Sequence, residues 1–187
     1  VDIGGGSTEL IVSEKSSALH LASLKMGCVS WSKAHFVTGW TETNFATAIA
    51  TAHRQLAPHF QKYISLGWEK VCGTSGTIKA LEALALELQH AHLSYEALLE
   101  IQNIMTSNDE HPALMTLSTS RKAVLGGGLS ILIALFEAFT LKQMHWLSAA
   151  LREGVLIEML GKVDRKDTRT KSVLTLQQRF KVDSLQS

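Results

Sequence analysis

The residues best able to do chemistry lie in the first nine positions, Asp2-Ile3-Gly4-Gly5-Gly6-Ser7-Thr8-Glu9. Glycines let a chain turn tightly and bring backbone N–H groups close to an anion, which is one way to hold phosphate without a basic surface. Ser7 and Thr8 add hydroxyl donors. Asp2 and Glu9 offer hard oxygen ligands that could hold Mg²⁺ or orient a water. The competing reading is a glycine-rich hairpin turn with two surface acids, and one such loop does not decide between them. A second junction, Gly73-Thr74-Ser75-Gly76-Thr77, stands before a helical pattern. Its donors would gather at a helix N-terminus, where the macrodipole favours an anion by ~0.3–1 kcal/mol. Ordinary capping by Ser75 or Thr77 explains the same residues. Gly126-Gly127-Gly128, ahead of an apolar run, is a third approach point, with close helix packing as its alternative. Together these junctions suggest a polyanionic, phosphorylated ligand.

The composition sets bounds on that idea. The chain has 187 residues, enough for one sizeable domain or two small ones, and a formal net charge of +1. Such a balance argues against an electrostatic nucleic-acid binder, and the aromatics, at 6%, do not interleave with a basic stripe. With 45% hydrophobic residues the chain should bury roughly two-thirds or more of its unfolded surface. Cys28 and Cys72 form no CxxC pair and read as reduced thiols. Eight histidines include no HExxH, and His90 and His92 are the only close pair. Cys28 has no partner that would make it a nucleophile. The most apolar stretch, Val124 to Leu141, is interrupted by three glycines and Glu137, so no membrane-spanning segment is expected. The chain opens on Val1 without an initiator Met or a signal pattern, and the expectation is a fragment of a cytoplasmic protein.

The elements that must position these groups follow from periodicity. Val1 to Ile3, Glu9 to Val12 and the alternating stretch Leu19 to Leu24 predict a three-strand meander. From Glu42, Phe45, Ile49, Leu56 and Phe60 recur at helical spacing, with Pro58 a boundary. Lys70-Val71-Cys72 is a short strand, and Ile78, Leu81, Ala85 and Leu88 form the face of the helix after it. Ser94 caps a further helix. An apolar helix spans Leu129 to Phe139, Met144-His145-Trp146-Leu147 reads as a buried strand, and Ala149 to Leu160 as the helix after it. The tail from Lys162 alternates in charge and reads as an exposed linker or the start of a further helix. The class is α/β, a mixed sheet with a β-meander flanked by helices.

Asp2-Ile3-Gly4-Gly5-Gly6-Ser7-Thr8-Glu9, Ser23-Leu24-Lys25-Met26-Gly27-Cys28-Val29-Ser30, Gly73-Thr74-Ser75-Gly76-Thr77-Ile78 and Leu151-Arg152-Glu153-Gly154 closely resemble the Ppx/GppA phosphatase family, in order through nearly the whole chain. The resemblance implies an actin-like, ribonuclease-H-like ATPase fold. It also implies a Mg²⁺-dependent hydrolase removing a terminal phosphate from guanosine pentaphosphate (pppGpp) or from inorganic polyphosphate, with a non-catalytic phosphate-binding lobe as a third reading. By the resemblance, Asp2 would assist metal binding, Gly4, Gly5, Gly6, Ser7 and Thr8 would cradle phosphate, and Glu9 would position metal or water. The second junction, Gly73, Ser75, Gly76 and Thr77, would add donors, and Lys25 or Arg121 could supply cationic charge, with a solvated surface role as the alternative for each. Arg152 and Glu153 read as helix-end residues. The implied organisation is a second lobe over residues 1–162 and a linker or the start of a C-terminal helical domain over 163–187. The first lobe is expected upstream, with a first phosphate loop and a principal catalytic glutamate, so that the chain alone should turn over little. A homodimer of the full-length protein is compatible with this. Trp31, Gly67-Trp68 and Gln178 to Asp183 resemble the guanosine pentaphosphate branch. Departures are Gly126-Gly127-Gly128, where relatives carry Pro-Gly, and Ala149 in place of a glycine.

Overall fold

The computed structural model describes residues 1–14, 17–107 and 111–148. One compact unit comprises Val1–Val12 with Ala18–Ser148. A second grouping, Ser13–Ser17 with Ala149–Ser187, is described only at Ser13, Glu14 and Ser17. The expected helix from Ala149, the tail, and Arg152 and Glu153 lie outside the described residues.

The expected meander forms as β1 (Asp2–Ile3), β2 (Thr8–Glu14) and β3 (Ser17–Leu24), neighbours in that order. Ile3, Leu10 and Leu24 face the core, while Ile11, Leu19 and Leu21 on the other side are exposed. This is the alternation of a sheet with one covered face. After α1 (Cys28–His35) come α2 (Glu42–Leu56), a 3-10 turn at Ala57–His59 carrying Pro58, and α3 (Phe60–Leu66). Phe45, Ala48, Ala52 and Leu56 form the buried stripe of α2, and the Thr41 hydroxyl caps it by accepting from the Asn44 N–H. Such a cap contributes roughly 1 kcal/mol. The strand β4 (Cys72–Gly73) pairs in parallel with β6 (Gln143–Trp146), which pairs antiparallel with β5 (Leu93–Ser94).

Two backbone bonds join the sheets edge to edge. The Val1 nitrogen donates to the Cys72 carbonyl at 2.8 Å, and the Thr74 N–H donates to the Val1 carbonyl at 3.0 Å. One residue bonded to positions two apart on its neighbour is a parallel pattern. Strands β1 and β4 therefore run the same way, and both glycine junctions leave the sheet at one end.

Helix α4 (Gly76–Glu87) follows β4, α5 (Tyr95–Thr106) starts at the Ser94 cap, and a short α6 (Pro112–Met115) precedes α7 (Thr119–Phe139). Here an expectation fails: the triple glycine does not precede the apolar helix but lies inside it, buried. The cause is packing. A Cβ on Gly127 would lie 2.5 Å from the Cys28 carbonyl oxygen, and one on Gly128 2.2 Å from Thr77 Cγ2. Glycine costs a helix about 1 kcal/mol relative to Ala. At these positions that cost is offset by close approach of α1 and α4. With Leu125, Leu129, Leu132 and Phe136 buried as well, α7 is apolar all round, the mark of a central helix. The glycines do not break α7, so it is long and apolar enough to cross a bilayer, but 72% of its apolar window is buried inside the fold.

Candidate active site

The loop between β1 and β2 is built from register and from α1. Asp2 pairs with Glu9 and Ile3 with Thr8, so the turn is Gly4 to Ser7, closed by the Gly4 N–H donating to the Ser7 carbonyl at 2.9 Å. The first N–H groups of α1 have no partner in their own helix, and they donate to this loop. Cys28 N–H bonds the Gly4 carbonyl at 2.8 Å, and Val29 and Ser30 N–H both bond the Gly5 carbonyl at 3.0 Å. In a trans peptide the N–H points opposite to the C=O. With the Gly4 and Gly5 carbonyls turned toward α1, the N–H groups of Gly5 and Gly6 turn away from it. Neither finds an acceptor among the described residues, and both glycines are exposed. Two adjacent N–H groups turned outward in this way are donors of the kind that can receive an anion.

The segment Met26-Gly27-Cys28 brackets this loop. The Thr8 hydroxyl donates to the Met26 carbonyl at 2.6 Å, and a Cβ on Gly27 would lie 2.5 Å from both the Gly5 carbonyl carbon and the Gly6 nitrogen. One expected role is corrected. Thr8 is completely buried, so its hydroxyl holds the frame and is closed to a ligand, while Ser7 is half-buried. Gly27 and Ser23 are positions that residue-by-residue reading missed. Gly27 carries no functional group, and Ser23 shows its partner only once strands are in register.

Across the sheet, Asp2 on β1 and Glu9 on β2 stand opposite each other and share a face. Glu9 Oε1 accepts a hydrogen bond from Ser23 Oγ on β3 at 2.8 Å. Among the described residues the ion pairs are His53–Glu137 and His90–Glu100, so neither Asp2 nor Glu9 is neutralised by a cation. No cluster of three or more metal-ligating side chains is found among the described residues. Mg²⁺ is usually held by one or two carboxylates plus phosphate oxygens and waters. The Asp2 and Glu9 pair beside this loop fits that donor set, and a metal that needs a full protein cage does not fit.

At the second junction Ser75 Oγ accepts from the Ile78 N–H at 3.1 Å and caps α4. Its hydroxyl is therefore occupied in ordinary capping. Thr77 is buried against Gly128, and Gly73 is buried where a Cβ would meet Ile78 and Met144. Gly76 alone is exposed, and its missing side chain leaves room for Arg121. A Cβ there would lie 3.2 Å and 3.3 Å from the two terminal guanidinium nitrogens. A cation beside the positive end of a helix is unfavourable by itself, and Arg121 has no carboxylate partner among the described residues. An anion at this place would relieve both charges. Lys25 is exposed at the end of β3. The triple glycine is no approach point for a ligand, because it is sealed between helices. His92 meets His145 edge to face, with centroids 4.9 Å apart, while His90 is bonded to Glu100. Both cysteines are free.

Comparison with known proteins bears on the family and the fold. The model of the Ppx/GppA phosphatase family matches residues 1–163. The chain is 40% identical over 190 residues to a guanosine-5'-triphosphate,3'-diphosphate pyrophosphatase of Vibrio atlanticus, covering 98% of this chain and 38% of that protein. A Photobacterium profundum protein of the same name is 37% identical over 188 residues, with the same coverage. The chain thus spans about 38% of the length of these relatives. Among solved structures, an Aquifex aeolicus member of the Ppx/GppA family superposes with a TM-score of 0.70 at 23% identity, covering 88% of this chain and 56% of that one. An exopolyphosphatase from Cytophaga hutchinsonii gives 0.71 at 20% identity, covering 87% and 56%. At such identities the structures speak to fold alone, and the fold is the mixed α/β, actin-like domain that the motifs implied. On the match over residues 1–163, this chain belongs to the Ppx/GppA phosphatase family.

Proposed function

We propose that this chain is the second, phosphate-holding lobe of a Mg²⁺-dependent phosphoanhydride hydrolase that converts pppGpp and water to ppGpp and inorganic phosphate. In this reading residues 1–162 form the lobe, 163–187 lead toward a further helical domain, and a first lobe faces the site. The observation that carries the reading is the orientation of the loop peptides. Gly4 and Gly5 carbonyls are engaged by α1, leaving Gly5 and Gly6 N–H groups free for phosphate oxygens. Arg121, beside Gly76, would hold the neighbouring phosphoryl group. Asp2 and Glu9 would hold Mg²⁺, which when bound neutralises charge on the transferred group. Glu9 would also orient the attacking water in line with the breaking P–O bond, so that catalysis is mainly positioning and electrostatics. The name of the Vibrio relative supports a guanosine substrate, and polyphosphate is the competing substrate of the same chemistry.

A chimera in which this chain replaces the matching 38% of the Vibrio atlanticus relative tests the reading. Mg²⁺-dependent phosphate release from pppGpp, faster than from polyphosphate and reduced at least 100-fold by Glu9→Gln, is expected. A chimera preferring polyphosphate would overturn the substrate. Unchanged turnover in Glu9→Gln would overturn the role of the lobe.

A further inference from the structure

We infer that Ser23 is a positioning residue for the metal-binding carboxylate Glu9; the inference rests on the phosphohydrolase reading above. Asp2, Glu9 and Ser23 form a row across three strands, the first two in register and the third joined to Glu9 by the 2.8 Å bond from its hydroxyl. The row lies on the open face of the sheet. Along that face next to Glu9 and Ser23 lie Ile11 at 58% and Leu21 at 65% exposure, apolar side chains that offer Glu9 no hydrogen bond.

A half-exposed glutamate without a partner samples several rotamers, and ordering it on metal binding has an entropic cost. The Ser23 bond sets that order in advance. It occupies one carboxylate oxygen, Oε1, and leaves the other for the metal. Ser23 itself does not touch the metal. Outer partners of this kind change metal affinity by 10–100-fold when removed, and the exposure of this bond puts the expected effect at the lower end.

The test is Mn²⁺ titration of the 187-residue chain, followed by electron paramagnetic resonance of the free ion, for wild type, Glu9→Gln, Ser23→Ala and Ser23→Thr. Ser23→Ala should weaken Mn²⁺ binding about tenfold, and Ser23→Thr, which keeps the hydroxyl, should return it to within about twofold of wild type. Thermal melts should leave all four folded, since Ser23 and Glu9 are not in the core. Wild-type affinity in Ser23→Ala with weakened binding in Glu9→Gln would overturn this inference and leave the metal reading standing. So would a Ser23→Thr variant as weak as Ser23→Ala. A wild-type chain that binds no Mn²⁺, or a Glu9→Gln variant that binds it equally well, would overturn the metal reading and the inference with it.

Discussion

Gly27 lies so close to the Gly5–Gly6 peptide that a methyl group at position 27 would sit 2.5 Å from two of its atoms. The contact joins the N-cap of α1 to the turn whose N–H groups face outward, and it is backbone against backbone. Neither side can yield by rotating a side chain. Gly27→Ala should therefore lower pyrophosphate affinity at least tenfold and destabilise the chain by about 1–3 kcal/mol. Calorimetric titration and urea unfolding measure the two effects. Undiminished pyrophosphate binding by a folded Gly27→Ala chain would show that the loop does not need this contact.

The triple glycine of α7 invites a prediction opposite in sign to helix propensity. In an exposed helix Gly→Ala stabilises by about 1 kcal/mol, but Gly128→Ala should destabilise by about 1–3 kcal/mol through overpacking against the Thr77 methyl. Adding Thr77→Ser, which deletes that methyl, should recover part of the loss. Urea midpoints of the single and double variants decide it, and a more stable Gly128→Ala chain would contradict the packing described.

This segment also marks where the sequence stops being legible. The meander, the α/β class and the Ser75 and Ser94 caps could be read directly, since alternation and capping are local. A run of three glycines reads locally as a break. That it is helix depends on Cys28, Ser32 and Thr77, which are distant in sequence. In the same way Asp2 and Glu9 were visible as acids flanking a loop. The bond from Ser23 to Glu9 and the guanidinium of Arg121 over Gly76 were not, because each needs a register or a packing angle that no window of sequence carries.

Arg121→Gln should weaken pyrophosphate binding roughly 5–50-fold, the scale of a charge-assisted bond. It should change stability by less than about 0.5 kcal/mol, as a substitution away from the core. The residual affinity of the variant should depend less on salt than that of the wild type. Calorimetry at two ionic strengths reads this, and equal affinity in both proteins would remove Arg121 from the site.

Away from the loops, the Tyr95 hydroxyl donates to Glu137 Oε1 at 2.7 Å, while His53 meets the other oxygen at 2.6 Å. The bond to Glu137, then burial, then the nearby negative charge push the Tyr95 phenol up to about 12. The folded state thus favours the protonated phenol. Its contribution is full below pH ~10, the ordinary value, and is lost as pH rises from there toward 12. Solvent screening keeps it small. Urea midpoints should fall more steeply over this window for wild type than for Tyr95→Phe, and parallel curves would contradict the coupling.

The most direct test of the central claim is a titration of ¹⁵N-labelled chain with Mg²⁺ and pyrophosphate, followed by amide spectra. The Gly5 and Gly6 N–H resonances should show the largest saturable shifts, with smaller ones at Gly76. Saturable binding that leaves Gly5 and Gly6 unmoved while other amides shift would contradict it.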